Sequence, residues 1–266
     1  MSDKAWEGTF RIPCPGRSTK PRRSGLTMVI DKGIGGHLLE DLVRTAGDFI
    51  DIIKLTFGTS AFYDRAELRK KNELIAGAGI DVMPGGTFLE VSVWQKTLPA
   101  YLTRARELGF TAIEISDGTI EMDRSTRGEA IRRAFGQGFK IITEVGKKDP
   151  SEAPPLKTIH ELIREDLENG AFKVIIEARE AGRGVGIFDK EGKTRAEEIE
   201  RILGVGVDPD KLIWEAPLKN QQQDLILRFG VNVNLGNIPP DEVLALEALR
   251  QGLRGDTLKR AYRAGR

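Results

Sequence analysis

The sequence predicts an α/β protein built as one (β/α)8 barrel of the TIM type, and three observations carry that expectation. Short runs rich in β-branched residues alternate with stretches whose apolar residues fall at helical spacing, the pattern of parallel strands joined by crossover helices. Eight such strand–helix units can be counted along the chain. Its 266 residues match the roughly 250 of a single barrel of this kind. An open doubly wound sheet is the structural alternative, and it too gathers ligands at the C-terminal ends of its strands.

Residues 1–24 come first, with Pro13, Pro15 and Pro21 set among Arg17, Lys20, Arg22 and Arg23. They read as an N-terminal arm that either packs over the barrel bottom or takes a share in binding an anion. The barrel is expected over 25–258, with strands near 27–31, 50–55, 80–84, 112–116, 140–145, 173–177, 212–215 and 231–235, and a tail over 259–266. Helical spacing shows in Leu38, Leu39, Leu42, Val43 and Ala46, and again in Ile159, Leu162, Ile163, Asp166 and Leu167. Gly109, Gly138 and Gly170 each fall just past such a stretch, where a C-terminal cap is expected, while Pro239 and Pro240 precede the helical run that starts at Asp241. After the sixth strand the glycine-rich connection 179–193 suits either a lid over substrate or a hairpin turning at Glu191–Gly192. Its Gly182, Gly184 and Gly186 lack the final G-x-x-G spacing and open no helix, so a dinucleotide loop is rejected.

Composition excludes several function classes. Lys+Arg 41 against Asp+Glu 40 leaves a net charge of +1, so no global field favours nucleic acid or an anionic membrane. No run approaches the roughly 18 apolar residues of a membrane span, and the N-terminus lacks a signal-peptide core, which points to a cytoplasmic protein. Cys14 is the one cysteine and His37 and His160 are the two histidines, so neither an intramolecular disulfide nor structural zinc is expected.

The chemistry is expected at the strand ends. The runs close on Asp31 and Lys32, Lys54, Glu114 and Asp117, Glu144, Glu177, Glu215 and Asn234. Candidate acids are Asp31, Glu114, Asp117, Glu144, Glu177 and Glu215; candidate bases are Lys32, Lys54, Lys147, Lys148, Arg179 and Arg183. For any single one of these an ion pair bracing a loop is the readier explanation, and it is the recurrence at seven of eight strand ends that points to a shared site. Strand side chains alternate, so neither Asp31 with Lys32 nor Lys147 with Lys148 can both point inward. Carboxylates crowded at a partly buried mouth need cations between them, and oxygen ligands without thiolates and with little histidine point to Mg2+. Pro84-Gly85-Gly86-Thr87 and Leu235-Gly236-Asn237-Ile238-Pro239 are candidate anion cradles. Pro239 and Pro240 would remove two N–H donors from the second.

Several longer motifs occur in order: Gly25-Leu-Thr-Met-Val-Ile-Asp-Lys-Gly33, Val82-Met-Pro-Gly-Gly-Thr87, Ile115-Ser-Asp-Gly-Thr119, Glu144-Val-Gly-Lys-Lys-Asp149, Ile176-Glu-Ala-Arg-Glu180, Trp214-Glu-Ala-Pro-Leu-Lys219 and Gly252-Leu-Arg-Gly-Asp-Thr257. From about residue 20 to 258 the chain resembles the phosphosulfolactate synthase family, which also includes heat-stress-associated proteins of plants. The resemblance implies a barrel that uses Mg2+ to add sulfite to phosphoenolpyruvate, acting on small anions as a homo-oligomer. Chemical sense then assigns Glu144, Glu177, Glu215 and Asp31 to the metal, and Lys147 as the acid that protonates carbon, with Lys54 or Lys32 in reserve. Arg179, Arg183, Asn237, Gly85 and Gly86 are expected to hold the anions. A Schiff-base aldolase acting through Lys54 and a non-catalytic stress factor are the rival readings.

Overall fold

Parallel strands with helices between them enclose the core. The computed structural model describes residues 4–179, 181–204 and 206–264. Among these the order is β1 (Thr27–Asp31), α1 (Gly36–Ala46), β2 (Ile52–Leu55), α2 (Arg65–Gly77), β3 (Asp81–Pro84), α3 (Gly86–Trp94), α4 (Leu98–Glu107), β4 (Ala112–Ile115), α5 (Arg124–Gly136), β5 (Lys140–Val145), α6 (Leu156–Glu168), β6 (Lys173–Ile176), α7 (Ala196–Leu203), β7 (Leu212–Glu215), α8 (Lys219–Phe229), β8 (Leu235–Ile238), α9 (Val243–Arg250) and α10 (Gly255–Ala264). Hydrogen-bonded neighbours follow the order β3-β2-β1-β8-β7-β6-β5-β4. The β3/β4 seam is joined not by a ladder but by Thr111, whose N–H donates to the Val82 carbonyl at 3.1 Å while its Oγ1 accepts the Val82 N–H at 2.9 Å. The barrel is therefore nearly closed, as the strand rhythm predicts.

Alternation along the strands builds two interior layers. Met28, Ile52, Met83, Ala112, Ile142, Ile175 and Ile213, with Leu26, form a buried apolar floor inside the barrel. Two residues further along five of these strands come Lys54, Glu114, Glu144, Glu177 and Glu215, so a period of two raises an ionisable layer directly on the apolar one. The intervening residues, such as Ile53, Ile113 and Ile176, face the helices and join the outer core. Gly236 belongs to the floor, because a Cβ there would stand 2.6 Å from Met28 Cε.

The predicted helix ends are found: Gly109, Gly138 and Gly170 have φ of 80°, 81° and 114° and follow α4, α5 and α6. Two expectations need correction. The eighth strand is Leu235–Ile238 and not 231–235, because Asn234 turns its side chain along the barrel bottom, accepting the Leu26 N–H at 3.0 Å and donating to the Leu212 carbonyl at 2.8 Å. The second anion cradle, at Leu235–Pro239, is thus largely the strand itself. In the connection after β6, Glu180 lies outside the described residues. The rest forms a hairpin, with Phe188 bridged to Thr194 and the Asp189 carboxylate accepting the Glu191 and Lys193 N–H groups at 3.0 and 2.8 Å.

The N-terminal arm packs across the bottom. Arg17 pairs with Glu247 at 3.0 Å and Arg22 with Asp51 at 3.2 Å, and the Cys14 N–H donates to the Gln251 carbonyl. These contacts engage the arm's cations on the face opposite the strand C-termini. Among the described residues no helix is long and apolar enough to cross a membrane.

Candidate active site

At the C-terminal mouth of the barrel lies a cavity of about 510 Å³ lined by Ile30, Lys54, Thr56, Phe57, Gly85, Gly86, Thr87, Glu114, Thr119, Glu144, Lys148, Glu177, Arg179, Glu215 and Asn237. Another depression, among α2, α3 and α4, is lined mainly by apolar side chains such as Leu68, Phe88 and Phe110 and offers no comparable set of acids. The C-terminal mouth is where barrels of this architecture carry their chemistry.

Lys54 is the centre of the charged layer. Its Nζ stands 3.2 Å from Glu114 Oε2, 3.2 Å from Glu215 Oε1 and 3.6 Å from Glu144 Oε2, and all four side chains are buried. Burial alone would lower the Lys54 pKa, but the carboxylates of Glu114, Glu215 and Glu144 outweigh it and hold it well above the usual lysine value. Burial drives Glu114 up to about 8, since Lys54 relieves it only in part. Glu177 is pushed up as well, by burial and then by the Glu144 and Glu215 charges. Glu144 is buried too, yet the Lys54 and Lys148 ammonium groups hold it below the ordinary carboxylate range.

The charge balance of this cavity favours a bound cation. Glu114, Glu144, Glu177 and Glu215, if ionised, carry four negative charges against Lys54, Lys148 and Arg179 in the same lining, so acids outnumber bases. Burial and neighbouring carboxylates raise Glu114 and Glu177, so both acids favour a proton where no other positive charge faces them. One oxygen from each of Glu144, Glu177 and Glu215 lies within 4.8 Å of the others, and Glu144 Oε1 and Glu177 Oε2 are buried without a hydrogen-bond donor among the described residues. Hard carboxylate oxygens, converging and unsatisfied, suit a hard divalent cation.

Neighbouring loops fix these acids. Glu215 Oε2 accepts the Ala178 N–H at 2.9 Å and Glu177 Oε1 accepts the Arg179 N–H at 2.6 Å. Arg179 and Asn237 hold left-handed backbone at φ 63° and 55°, a sparsely populated conformation for such residues and one that collects at functional sites; the Asn237 amide donates to the Arg179 carbonyl at 3.4 Å. Gly86 opens α3 so close to the site that a Cβ would meet Ser116 Oγ at 2.4 Å and Glu114 Oε1 at 2.8 Å. Thr87, one residue on, accepts a hydrogen bond from Lys148 Nζ at 2.5 Å. Burial lowers the Lys148 pKa, but Glu144 and Glu177 raise it further, so the group is an ammonium at neutral pH.

Of the residues singled out in the sequence, Lys54, Glu144, Glu177, Glu215, Arg179, Asn237, Gly85 and Gly86 meet at this mouth. Four others do not. Asp31 follows the inward Ile30 and therefore faces out of the barrel, where Lys71 pairs with it at 2.6 Å. Lys32 stands at the rim with its Nζ 5.8 Å from the Phe57 ring centroid. Lys147 is turned between the β4 and β5 loops, donating to the Asp117 and Ile120 carbonyls at 2.5 and 2.9 Å. Arg183 is exposed on the hairpin, away from the cavity. Glu114 and Lys148, candidates in the sequence without an assigned role, also stand at the mouth, and parity accounts for both: Glu114 stands two residues after the inward Ala112, and Lys148 four after the inward Glu144.

Fold and site together define a barrel enzyme for small-molecule substrates, with an acidic cluster able to hold a metal ion. The chain belongs to the (2R)-phospho-3-sulfolactate synthase (ComA) family, which it matches over residues 15–256. It is 47% identical over 236 residues to the phosphosulfolactate synthase of Methanocaldococcus jannaschii, covering 88% of this chain and 93% of that one. The protein HEAT-STRESS-ASSOCIATED 32 of Arabidopsis thaliana is more distant, at 23% identity with 88% of each chain covered. Among solved structures the copper homeostasis protein CutC of Streptococcus agalactiae superposes with a TM-score of 0.55 at 13% identity, over 81% of this chain and 99% of that one, a likeness of fold alone.

Proposed function

We propose that this chain catalyses the Mg2+-dependent addition of sulfite to C3 of phosphoenolpyruvate, followed by protonation at C2, to give phosphosulfolactate. The observation that carries the reading is the buried, acid-rich carboxylate ring around Lys54, in a chain with this family membership. Sulfite adds to the terminal carbon of the enol phosphate, electrons move toward C2 and the carboxylate, and a proton must then reach C2. Glu144, Glu177 and Glu215 would hold Mg2+, which would supply Lewis-acid stabilisation for charge growing on the substrate carboxylate. Lys54 neutralises the ring from below and keeps Glu144 ionised as a ligand. Lys148, an ammonium at the mouth, is better placed than Lys147 to deliver the proton, because Lys147 spends its hydrogens on two backbone carbonyls. Arg179, Asn237 and the N-terminus of α3 at Gly85, Gly86 and Thr87 receive the phosphate and hold sulfite in attack geometry. Cytoplasmic residence and assembly into a homo-oligomer complete this reading; Phe62 and Trp94, 88% and 71% exposed, are apolar surface for such contacts.

A Schiff-base role for Lys54 is disfavoured by its surroundings. An imine-forming lysine needs its free amine, and three carboxylates within 3.6 Å keep this one protonated. The test is anaerobic incubation with phosphoenolpyruvate, sulfite and Mg2+, followed by proton and phosphorus NMR. Loss of the vinyl protons with the phosphate ester retained is the expected result; release of inorganic phosphate, or no change with any divalent ion, removes the assignment.

A further inference from the structure

We propose that Arg127 is a positioning residue, which locks the C-terminal ends of β4 and β5 together and thereby sets where Glu144 and Lys148 stand in the mouth. Arg127 lies in the first turns of α5, outside the cavity, and is 2% exposed. Its guanidinium serves three elements at once. Nε and Nη2 grip both oxygens of Asp166 on α6 at 2.8 and 2.6 Å. Nη1 donates to Asp117 Oδ1 at 3.0 Å, in the loop after β4. Nη2 also donates to the backbone carbonyl of Glu144 at 2.9 Å, at the end of β5. These are four acceptor atoms spread around one planar fork, and a lysine ammonium carries only three donors at a single point, so lysine is not an equivalent here.

The tie continues to the reacting side. Asp117, held by Arg127, offers its carbonyl to Lys147, and the next residue, Gly118, accepts the Lys148 N–H at 3.1 Å. The Lys148 side chain then passes within 3.4 Å of where a Gly118 Cβ would begin on its way to Thr87. Loosening Arg127 therefore frees the backbone under both a metal-facing carboxylate and the mouth ammonium, and misplacement by about 1 Å is enough to cost on the order of a hundredfold in rate.

The consequence for turnover rests on the proposed reaction; the positioning itself does not. The test compares Arg127→Lys with Arg250→Lys, an equally buried arginine whose donors go to the Val231, Val233 and Leu26 carbonyls at the barrel bottom. Both variants are expected to melt earlier. Only Arg127→Lys should make the amides of 117–120 and 145–148 exchange about tenfold faster, weaken Mn2+ binding to the substrate-free protein by about 10–100-fold in EPR titration, and lower kcat more than it raises KM. Should Arg127→Lys not fold, Asp117→Asn is expected to produce the same local exchange pattern with little lost packing. Unchanged mouth amides, equal acceleration in Arg250→Lys, or accelerated amides with unaltered Mn2+ affinity and turnover would each overturn the inference. A wild-type protein that binds no Mn2+ or leaves phosphoenolpyruvate and sulfite untouched sinks the reaction instead, and the exchange data then decide the positioning alone.

Discussion

Replacing Lys54 by methionine, which keeps the length of the side chain and deletes its charge, should destabilise the protein strongly at pH 8.5 and little at pH 5.5. The ammonium stands 3.2 Å from Glu114 and Glu215 and 3.6 Å from Glu144, all buried. Removing one partner of a buried ion pair costs about 3–5 kcal/mol where the other stays charged. Carboxylates deprived of Lys54 can instead keep a proton, and their folded pKa values then rise above the roughly 4.3 of the unfolded chain. A raised carboxyl stabilises the fold below its unfolded pKa and loses that contribution as pH climbs through the folded value, with a slope of about 1.4 kcal/mol per pH unit for each proton held only by the folded state. Three pH units are enough for one such proton to offset most of the penalty. Urea unfolding followed through the buried Trp214, in EDTA, measures the difference between wild type and variant at each pH. An equal loss at both values, or none at pH 8.5, refutes the view that Lys54 is what allows these acids to be buried in ionised form.

Other outcomes follow from the same geometry. Mg2+ at a hundredfold excess over its dissociation constant should stabilise the wild type by about 2.7 kcal/mol, several degrees in Tm for a chain of this size, and Glu177→Gln should abolish most of that gain in differential scanning fluorimetry. Because Glu114 and Glu177 titrate above the normal carboxylate range, binding of Mg2+ at neutral pH should release about one to two protons, seen as a dependence of calorimetric heat on buffer ionisation enthalpy; heat that is independent of buffer contradicts the assigned protonation. Gly86→Ala, which helix propensity alone would favour, should cost about 1–3 kcal/mol through overpacking against Ser116 and Glu114, measured by chemical denaturation. Lys148→Met should lower turnover by about a hundredfold or more while Lys147→Met stays within about tenfold; the reverse order in steady-state assays would return the acid role to Lys147.

The barrel was legible in the sequence because parallel strands buried on both faces write themselves as apolar runs, and because a residue two past the last apolar inward position comes out at the mouth. That rule brings Lys54, Glu144, Glu177 and Glu215 to the mouth, where all four line the cavity. It says nothing, however, about where each strand stops. Asp31 was put among the metal acids because it closes a run, but inward Met28 and Ile30 leave it on the outer face, where Lys71 meets it. Lys147 and Lys148 are separated by the same parity continued past the strand, through Gly146, which adopts φ 121° and brings the loop so close to Glu177 that a Cβ would stand 2.9 Å from its own. At β8 the β-branched Val231 and Val233 suggested strand, whereas the barrel needed Gly236, a residue of low strand propensity, to clear Met28. Arg127 escaped notice entirely: a charge near the start of a helix looks like solvent-facing surface until Asp117, Glu144 and Asp166 are brought to it by the fold.

The seam at Thr111 is the one place where neighbouring described strands meet without a ladder. Elsewhere around the circumference the strands pair backbone to backbone, from four residue pairs between β1 and β2 to two between β7 and β8, so β3 and β4 have the fewest ties to hold them at a fixed spacing. One flank of that gap carries Gly86 and Thr87 and the other carries Glu114, so a slight widening there would enlarge the bowl beside the metal-facing acids while leaving the lysine at its centre and the greasy floor beneath it where they are.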